Sequence, residues 1–196
     1  MIVGVLALQG NYDKHLEKLE GLNCPSVLIK YPNQLSEIDG LVLPGGESTS
    51  ITLLMEQTGF DSAIIDFAKN NPIFGTCAGL IIMSTTSADS SVNPLGLIDI
   101  AVKRNGYGRQ IKSGFQTVDI SFNGQSFSES SMFIRAPQIT RIGPDVEILG
   151  TMDNDPVFVK QNHHLASCFH PEMVDNSLMY SLFISLIKSH NLAHAV

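Results

Sequence analysis

Basic residues, cysteines and long apolar runs are all scarce in this 196-residue sequence, and each scarcity removes a class of protein. Only 12 lysines and arginines stand against 19 aspartates and glutamates, and the formal charge of -7 repels phosphate backbones and anionic lipid. Neither nucleic acid nor a membrane surface is therefore expected as a partner. The three cysteines, Cys24, Cys77 and Cys168, are an odd number at unrelated spacings, so a disulfide framework is not expected and a reducing cytoplasm is. The apolar stretch Met1 to Leu8 is far too short to span a bilayer. It also lacks a basic leader and a small-residue cleavage site, and so reads as a buried first strand. Internal repeats and low-complexity tracts are absent as well.

What the sequence does have is an apolar content of 43%, enough for residues 1–196 to form one globular domain with its own core. Apolar runs of strand length alternate with segments of helical period, the pattern of parallel βαβ units. "IVGVLAL", "SVLIKY", "GLVLPGG" and "PIFGTC" read as strands. Between them, Asn11 is placed to cap a helix carrying Leu16, Leu19 and Leu22 on one face. Further helices are expected over 48–58, stopped by Gly59, and over 61–69, stopped ahead of Pro72. From Leu95 to Gln161 the pattern changes to short β-rich pieces, "LIDIAVK", "FQTVDISF", "MFIR", "VEILGTM" and "PVFVKQN", some of which should pair antiparallel. A last helix is expected near 176–190, with a core-facing stripe from Leu178 to Ile187.

Three short motifs carry chemistry. "GTCAG" has the layout of a nucleophile elbow, in which glycines permit a strained turn that lifts Cys77 above the sheet edge. The N-terminus of the helix starting near Ala78 favours thiolate there. The other reading is a buried, inert cysteine at a strand end. In "FHPE", an extended backbone would point His170 and Glu172 the same way, a base with a carboxylate to orient it; a surface His-Pro-Glu turn is the alternative. "LPGGES" supplies a glycine-rich loop at a strand end, where Gly46, together with the N–H of Ala78, would serve as an oxyanion donor; Pro-Gly-Gly is also an ordinary turn sequence.

In this order "LPGGES", "GTCAGL" and "FHPE" resemble the class I, triad-type glutamine amidotransferases. With "GVLALQG", "RNGYGRQ" and "FIRAP" added, the chain resembles more narrowly the glutaminase subunits of pyridoxal 5'-phosphate synthase, from Ile2 to the last helix. The resemblance implies a three-layer α/β sandwich with a mostly parallel, flavodoxin-like central sheet and additional short antiparallel strands. It implies Cys77, His170 and Glu172 as catalytic triad, and Gly46, Glu47, Ser48, Arg104, Ile134 and Arg135 as substrate-binding positions. Gln9 matches a position tied to activation on docking. Glutamine would be hydrolysed through a cysteine thioester with no metal or organic cofactor, and the ammonia handed to a synthase subunit in a hetero-oligomeric complex. Free glutamine is a zwitterion, so an arginine for its carboxylate and a glutamate for its ammonium suit it chemically. Apart from the resemblance, Arg104, Arg109 and Arg135 each read as surface ion-pair formers.

The chain departs from the family pattern at Lys14, where glutamate is common, at Met173, where leucine is usual, and in a helix after "GGES" that lacks its usual arginine. The first and last put the partner contacts in question. Three other readings stay open: the same chemistry serving another acceptor such as imidazole glycerol phosphate synthase, a zinc site from His163, His164, Cys168 and His170, and a non-enzymatic redox or binding module. Cys24 reads as an interior residue, while Cys168 shares a strand face with His170 and so is a candidate to line the pocket.

Overall fold

The structure is a computed structural model and describes residues 1–107, 113–122 and 124–194. Three positions of the "RNGYGRQ" motif, Gly108, Arg109 and Gln110, lie outside the described residues. The first half of the chain is built of βαβ units: β1 (Val3–Leu6), α1 (Tyr12–Gly21), β2 (Ser26–Ile29), β3 (Gly40–Leu43), α2 (Ser48–Thr58), α3 (Phe60–Ala68), β4 (Ile73–Thr76) and the short α4 (Ala78–Met83). β5 (Ser84–Ser87), β6 (Ile98–Lys103), β7 (Gly114–Phe122), β8 (Gln125–Phe133), β9 (Gln138–Ile142), β10 (Glu147–Met152), β11 (Asp155–Gln161), β12 (His164–Ser167) and α5 (Leu178–His194) follow.

Among the described residues the main sheet runs β2-β1-β3-β4-β12-β11-β10-β7-β8. The pairings from β2 through β12 are parallel, the doubly wound core that the alternation of strands and helices requires. Beyond β12 every pairing is antiparallel. The antiparallel strands thus extend the main sheet rather than decorating it; β7 matches "FQTVDISF" with one residue added, while β8 is nine residues where the sequence suggests only "MFIR". A smaller sheet, β5-β6-β9, packs beside it.

Strand alternation sends neighbouring side chains to opposite layers. On one face of β4, Phe74 meets Tyr180 and Phe183 of α5 at ring-centroid distances of 6.1 and 5.7 Å. On the other, a methyl at Gly75 would lie only 2.5 Å from Met83 of α4. Helices therefore cover both faces of the sheet, in three layers.

Helix α2 occupies the expected span because its ends are encoded locally. The Glu47 carboxylate accepts from the Ser50 N–H at the start, and Gly59 takes the left-handed conformation (φ 76°) at the end. Asn11 does not cap α1: its side chain makes no capping hydrogen bond and its amide points instead to the Met173 sulfur at 3.4 Å. No helix among the described residues is long and apolar enough to cross a membrane.

Candidate active site

β4 and β12 lie side by side and parallel, with Thr76 opposite Ser167, so the residues that follow both strands emerge together at the carboxyl edge of the sheet. The Cys77 N–H donates to the Ser167 carbonyl at 2.8 Å. Two residues past β12's neighbour Cys168, the His170 N–H donates to the Met132 carbonyl of β8, also at 2.8 Å. This pairing of edges joins two positions that stand 93 residues apart in the chain.

The elbow is strained where the chemistry sits. Cys77 itself takes φ 50°, a left-handed value that L residues adopt at a cost of about 1–3 kcal/mol. The flanking glycines serve a different purpose from the one expected of them, because neither carries a positive φ. A Cβ on Gly79 would fall on the Leu43 carbonyl oxygen, and one on Gly75 would lie 2.7 Å from the Gly79 carbonyl. They let α4 cross directly over β3 and β4.

His170 Nδ1 and Glu172 Oε1 are 2.7 Å apart, and the Cys77 side chain lies beside the imidazole at the cavity wall. The backbone behind this contact is not the extended segment the sequence suggests. Pro171–Met173 form a 3-10 turn, with His170 as its leading residue, and the turn curls the Glu172 carboxylate back onto the ring. Burial opposes a charge on His170, but hydrogen bonds with Cys77 and Glu172 outweigh it and raise the pKa to about 10. Burial also opposes ionisation of Glu172, and the His170 hydrogen bond and the nearby His15 outweigh it, holding the carboxyl below its ordinary value. His170 thus sits between the Glu172 carboxylate and the Cys77 side chain, in surroundings that favour its protonated form.

Cys77 and His170 open onto a cavity of about 220 Å³. Gln9, Gly46, Glu47, Ser48, Ala78, Arg104, Ile134 and Arg135 all line it, so the structure brings together the catalytic, substrate-binding and activation-linked residues that the resemblance implies, with Glu172 directly behind His170. Ile81 and Asn105 line it too; Asn105 belongs to the "RNGYGRQ" motif but was not itself assigned a role, and Ile81 carried no motif signal. Gly45 marks the meeting point, since a methyl placed there would lie 2.6 Å from His170 Cε1 and 3.3 Å from Cys77 Cβ. Gln9 Oε1 accepts from the Glu47 N–H at 2.9 Å and so pins the glycine loop from above. Arg104 is held by the Glu47 carboxylate, by Asp89 at 3.0 Å and by the Thr49 hydroxyl at 3.2 Å. Hydrogen bonds from Ser50, with lesser help from Arg104, lower the Glu47 pKa to about 2. Asp89 sits in the loop stretch "ADSSVNP" and was missed, because nothing local marks it as Arg104's partner.

The candidate zinc ligands do not converge. His163 stacks near His164 and His190, with ring centroids 4.3 and 4.6 Å away, and donates from Nε2 to the Ala68 carbonyl at 2.8 Å. Cys168 is fully buried and does not line the cavity, while His170 faces it. Among the described residues no group of three or more His, Cys, Asp or Glu could hold a metal ion.

Burial drives the pKa of His15 from 6.5 to about 4 and that of His164 to about 3. The unfolded chain therefore binds these protons first as pH falls, and stability is expected to drop from about pH 6.5 downward, by up to about 1.4 kcal/mol per unit per histidine. His170 acts in the opposite sense: its contribution is full below 6.5 and is lost as pH rises through about 10. Denaturant midpoints compared at about pH 7 and about pH 5.5, above the range where carboxylates titrate, should show the lower value at the more acid pH.

A cysteine facing a histidine–glutamate pair beside a glutamate- and arginine-lined cavity, at the carboxyl edge of a doubly wound sheet, is the architecture of a glutamine amidotransferase. The chain is similar over 96% of its length to the whole of a crystal structure of a glutamine amidotransferase, with 34% identity and a TM-score of 0.89. It belongs to the SNO glutamine amidotransferase family, whose model matches residues 5–189. Among curated relatives, the chain from Koribacter versatilis (strain Ellin345) is 41% identical over 97% of this chain and 98% of its own length. That from Francisella philomiragia subsp. philomiragia (strain ATCC 25017) is 44% identical over 94% and 98%. Both are pyridoxal 5'-phosphate synthase subunits PdxT.

Proposed function

We propose that Cys77, His170 and Glu172 carry the glutaminase reaction of this chain, and that the ammonia passes directly to a synthase subunit that makes pyridoxal 5'-phosphate. The chain is a glutaminase of vitamin B6 synthesis. The observation that supports this assignment of residues is the single imidazole lying between the Glu172 carboxylate and the Cys77 sulfur at the wall of the cavity.

His170 takes or holds the Cys77 proton, and the thiolate attacks the side-chain amide carbon of L-glutamine beside the resulting imidazolium. The oxygen of the tetrahedral intermediate takes its negative charge towards the backbone N–H groups of Ala78 and the Gly46 loop. His170 then protonates the departing nitrogen, and ammonia leaves a γ-glutamyl thioester on Cys77. Water, losing its proton to the now neutral His170, hydrolyses the thioester to glutamate. Arg104 and Glu47 hold the α-carboxylate and α-ammonium, with Ser48, Ile134 and Arg135 completing the wall. Asp89, which binds Arg104 from outside the cavity, fixes that guanidinium before substrate arrives. The carriers are all side chains and backbone of this chain, with no cofactor.

Ammonia released into water becomes ammonium and loses its nucleophilicity, so direct transfer to an acceptor subunit is the economical arrangement. Near-full-length similarity to PdxT chains supports pyridoxal 5'-phosphate synthase as that acceptor over imidazole glycerol phosphate synthase. Three buried, unbridged cysteines fit a cytoplasmic setting. Gln9, which occupies the Glu47 N–H above the loop, is the element that docking would rearrange. Glutamate release by the chain alone should therefore be slow, and added synthase subunit should raise it severalfold. Equal turnover with and without that subunit would refute the coupling.

A further inference from the structure

Behind the Glu172 carboxylate lie two buried polar side chains that the reaction, as derived, does not use. His15 of α1 and Tyr180 of α5 are both 0% exposed. The Tyr180 hydroxyl and His15 Nδ1 are 2.8 Å apart, and His15 Nε2 is 3.5 Å from Glu172 Oε2. That carboxylate oxygen is buried and has no hydrogen-bond partner among the described residues, His15 Nε2 being its near neighbour. Thr76, the residue before the nucleophile, places its hydroxyl 3.5 Å from the same His15 nitrogen.

We propose that His15 and Tyr180 are positioning residues of the glutaminase reaction, which hold the Glu172 carboxylate from behind in the orientation that His170 requires. The inference rests on the Cys77–His170–Glu172 reading given above. Its logic is a proton count. The Tyr180 O–H is buried and needs an acceptor, and His15 Nδ1 is the one within reach. Once Nδ1 accepts, the ring's own hydrogen is on Nε2, the nitrogen that lies 3.5 Å from both the second oxygen of Glu172 and the Thr76 hydroxyl. The first oxygen of Glu172 is then left to accept from His170 Nδ1–H, which puts the other imidazole nitrogen towards sulfur. If the His15 tautomer were reversed, a lone pair would face the carboxylate and push it off that line. The groups facing His15 are Glu172 and His170 from the turn, Tyr180 from α5 and Thr76 from β4, and none of the four supplies a competing positive charge except His170 itself. Burial keeps His15 neutral, with a pKa near 4, so its contribution is a directed N–H rather than a second cation.

The test uses the chain in complex with its synthase subunit. Tyr180→Phe removes one oxygen and keeps the ring packing, while His15→Gln keeps a donor-acceptor pair at the same depth. Tyr180→Phe is expected to lower kcat roughly tenfold with little change in KM. It should also shift the alkaline limb of the kcat profile down by on the order of half a pH unit, because a less firmly held carboxylate supports the imidazolium less. In a Glu172→Gln background the same change should have no further effect, since it acts through that carboxylate. His15→Gln should fall between wild type and Tyr180→Phe. A wild-type kcat and unmoved pH limbs in Tyr180→Phe would overturn the proposal, as would a loss that persists undiminished in the Glu172→Gln background. Should Glu172→Gln itself be fully active, the triad reading fails rather than this extension of it.

Discussion

Replacing Cys77 with alanine is expected to remove glutamine hydrolysis, lowering kcat by at least about 10⁴-fold while the chain still binds glutamine. The effect is large because every bond made or broken passes through that sulfur: without it there is no thioester, and His170 has nothing to hand a proton across. Binding survives because the groups that recognise the α-carboxylate and α-ammonium, Arg104 and Glu47, are held by their own network with Asp89, Thr49 and Ser50 rather than by the cysteine. The folded state should also survive, since alanine relieves none of the packing beneath the elbow and removes only one small atom from a side chain at the cavity wall. Steady-state kinetics together with glutamine binding to the variant check both halves. Residual turnover at a tenth of the wild-type rate would move the nucleophile elsewhere.

A second large effect is expected from a methyl group. In Gly79→Ala the new Cβ would fall on the Leu43 carbonyl oxygen, with that carbonyl carbon 2.9 Å and the Leu43 Cβ 3.1 Å away. Both partners are buried and the offending atom is backbone, so no side chain can swing aside. α4 must lift from β3, and the cost is expected to be on the order of 3 kcal/mol or more. Gly21→Ala is the natural comparison. A Cβ there meets nothing within 4 Å, and alanine in the last turn of α1 should be neutral or slightly stabilising. Denaturant unfolding of the two variants should separate them widely, and equal midpoints would mean that the close crossing of α4 over β3 is not required.

The contrast between those glycines shows what the sequence could and could not convey. The motif "GTCAG" located the elbow correctly, yet the left-handed strain falls on Cys77 and the glycines provide clearance for a crossing helix. Spacing within a motif is local, whereas the carbonyl that Gly79 must avoid belongs to a strand 36 residues earlier. α2 was legible to the residue because Glu47 and Gly59 end it through their own side chain and backbone. β12 was not: "HLAS" is four residues, begins with a histidine and is buried throughout, so it has no alternation to betray it. It is nevertheless the strand that delivers His170 to Cys77. β8, with four serines among nine residues, likewise carries little strand signal and is set by its pairing with β7. Glu172 was matched to His170 by assuming an extended chain, and a 3-10 turn produces the same contact by another route. Tyr180 and Asp89 escaped notice because no local motif joins either to the residue it acts on, 165 positions away in the case of Tyr180 and His15. The Asn11 cap failed for a related reason, as its amide is drawn to Met173 across 162 positions.

The most direct test is covalent. A glutamine analogue carrying an electrophilic diazoketone in place of the side-chain amide should enter the cavity and alkylate whichever atom attacks that carbon. With the synthase subunit present, inactivation should be stoichiometric, slowed by excess glutamine, and mapped by peptide mass to Cys77 alone. A label on Cys24, Cys168 or a histidine, or turnover that continues after Cys77 is fully modified, would contradict the account.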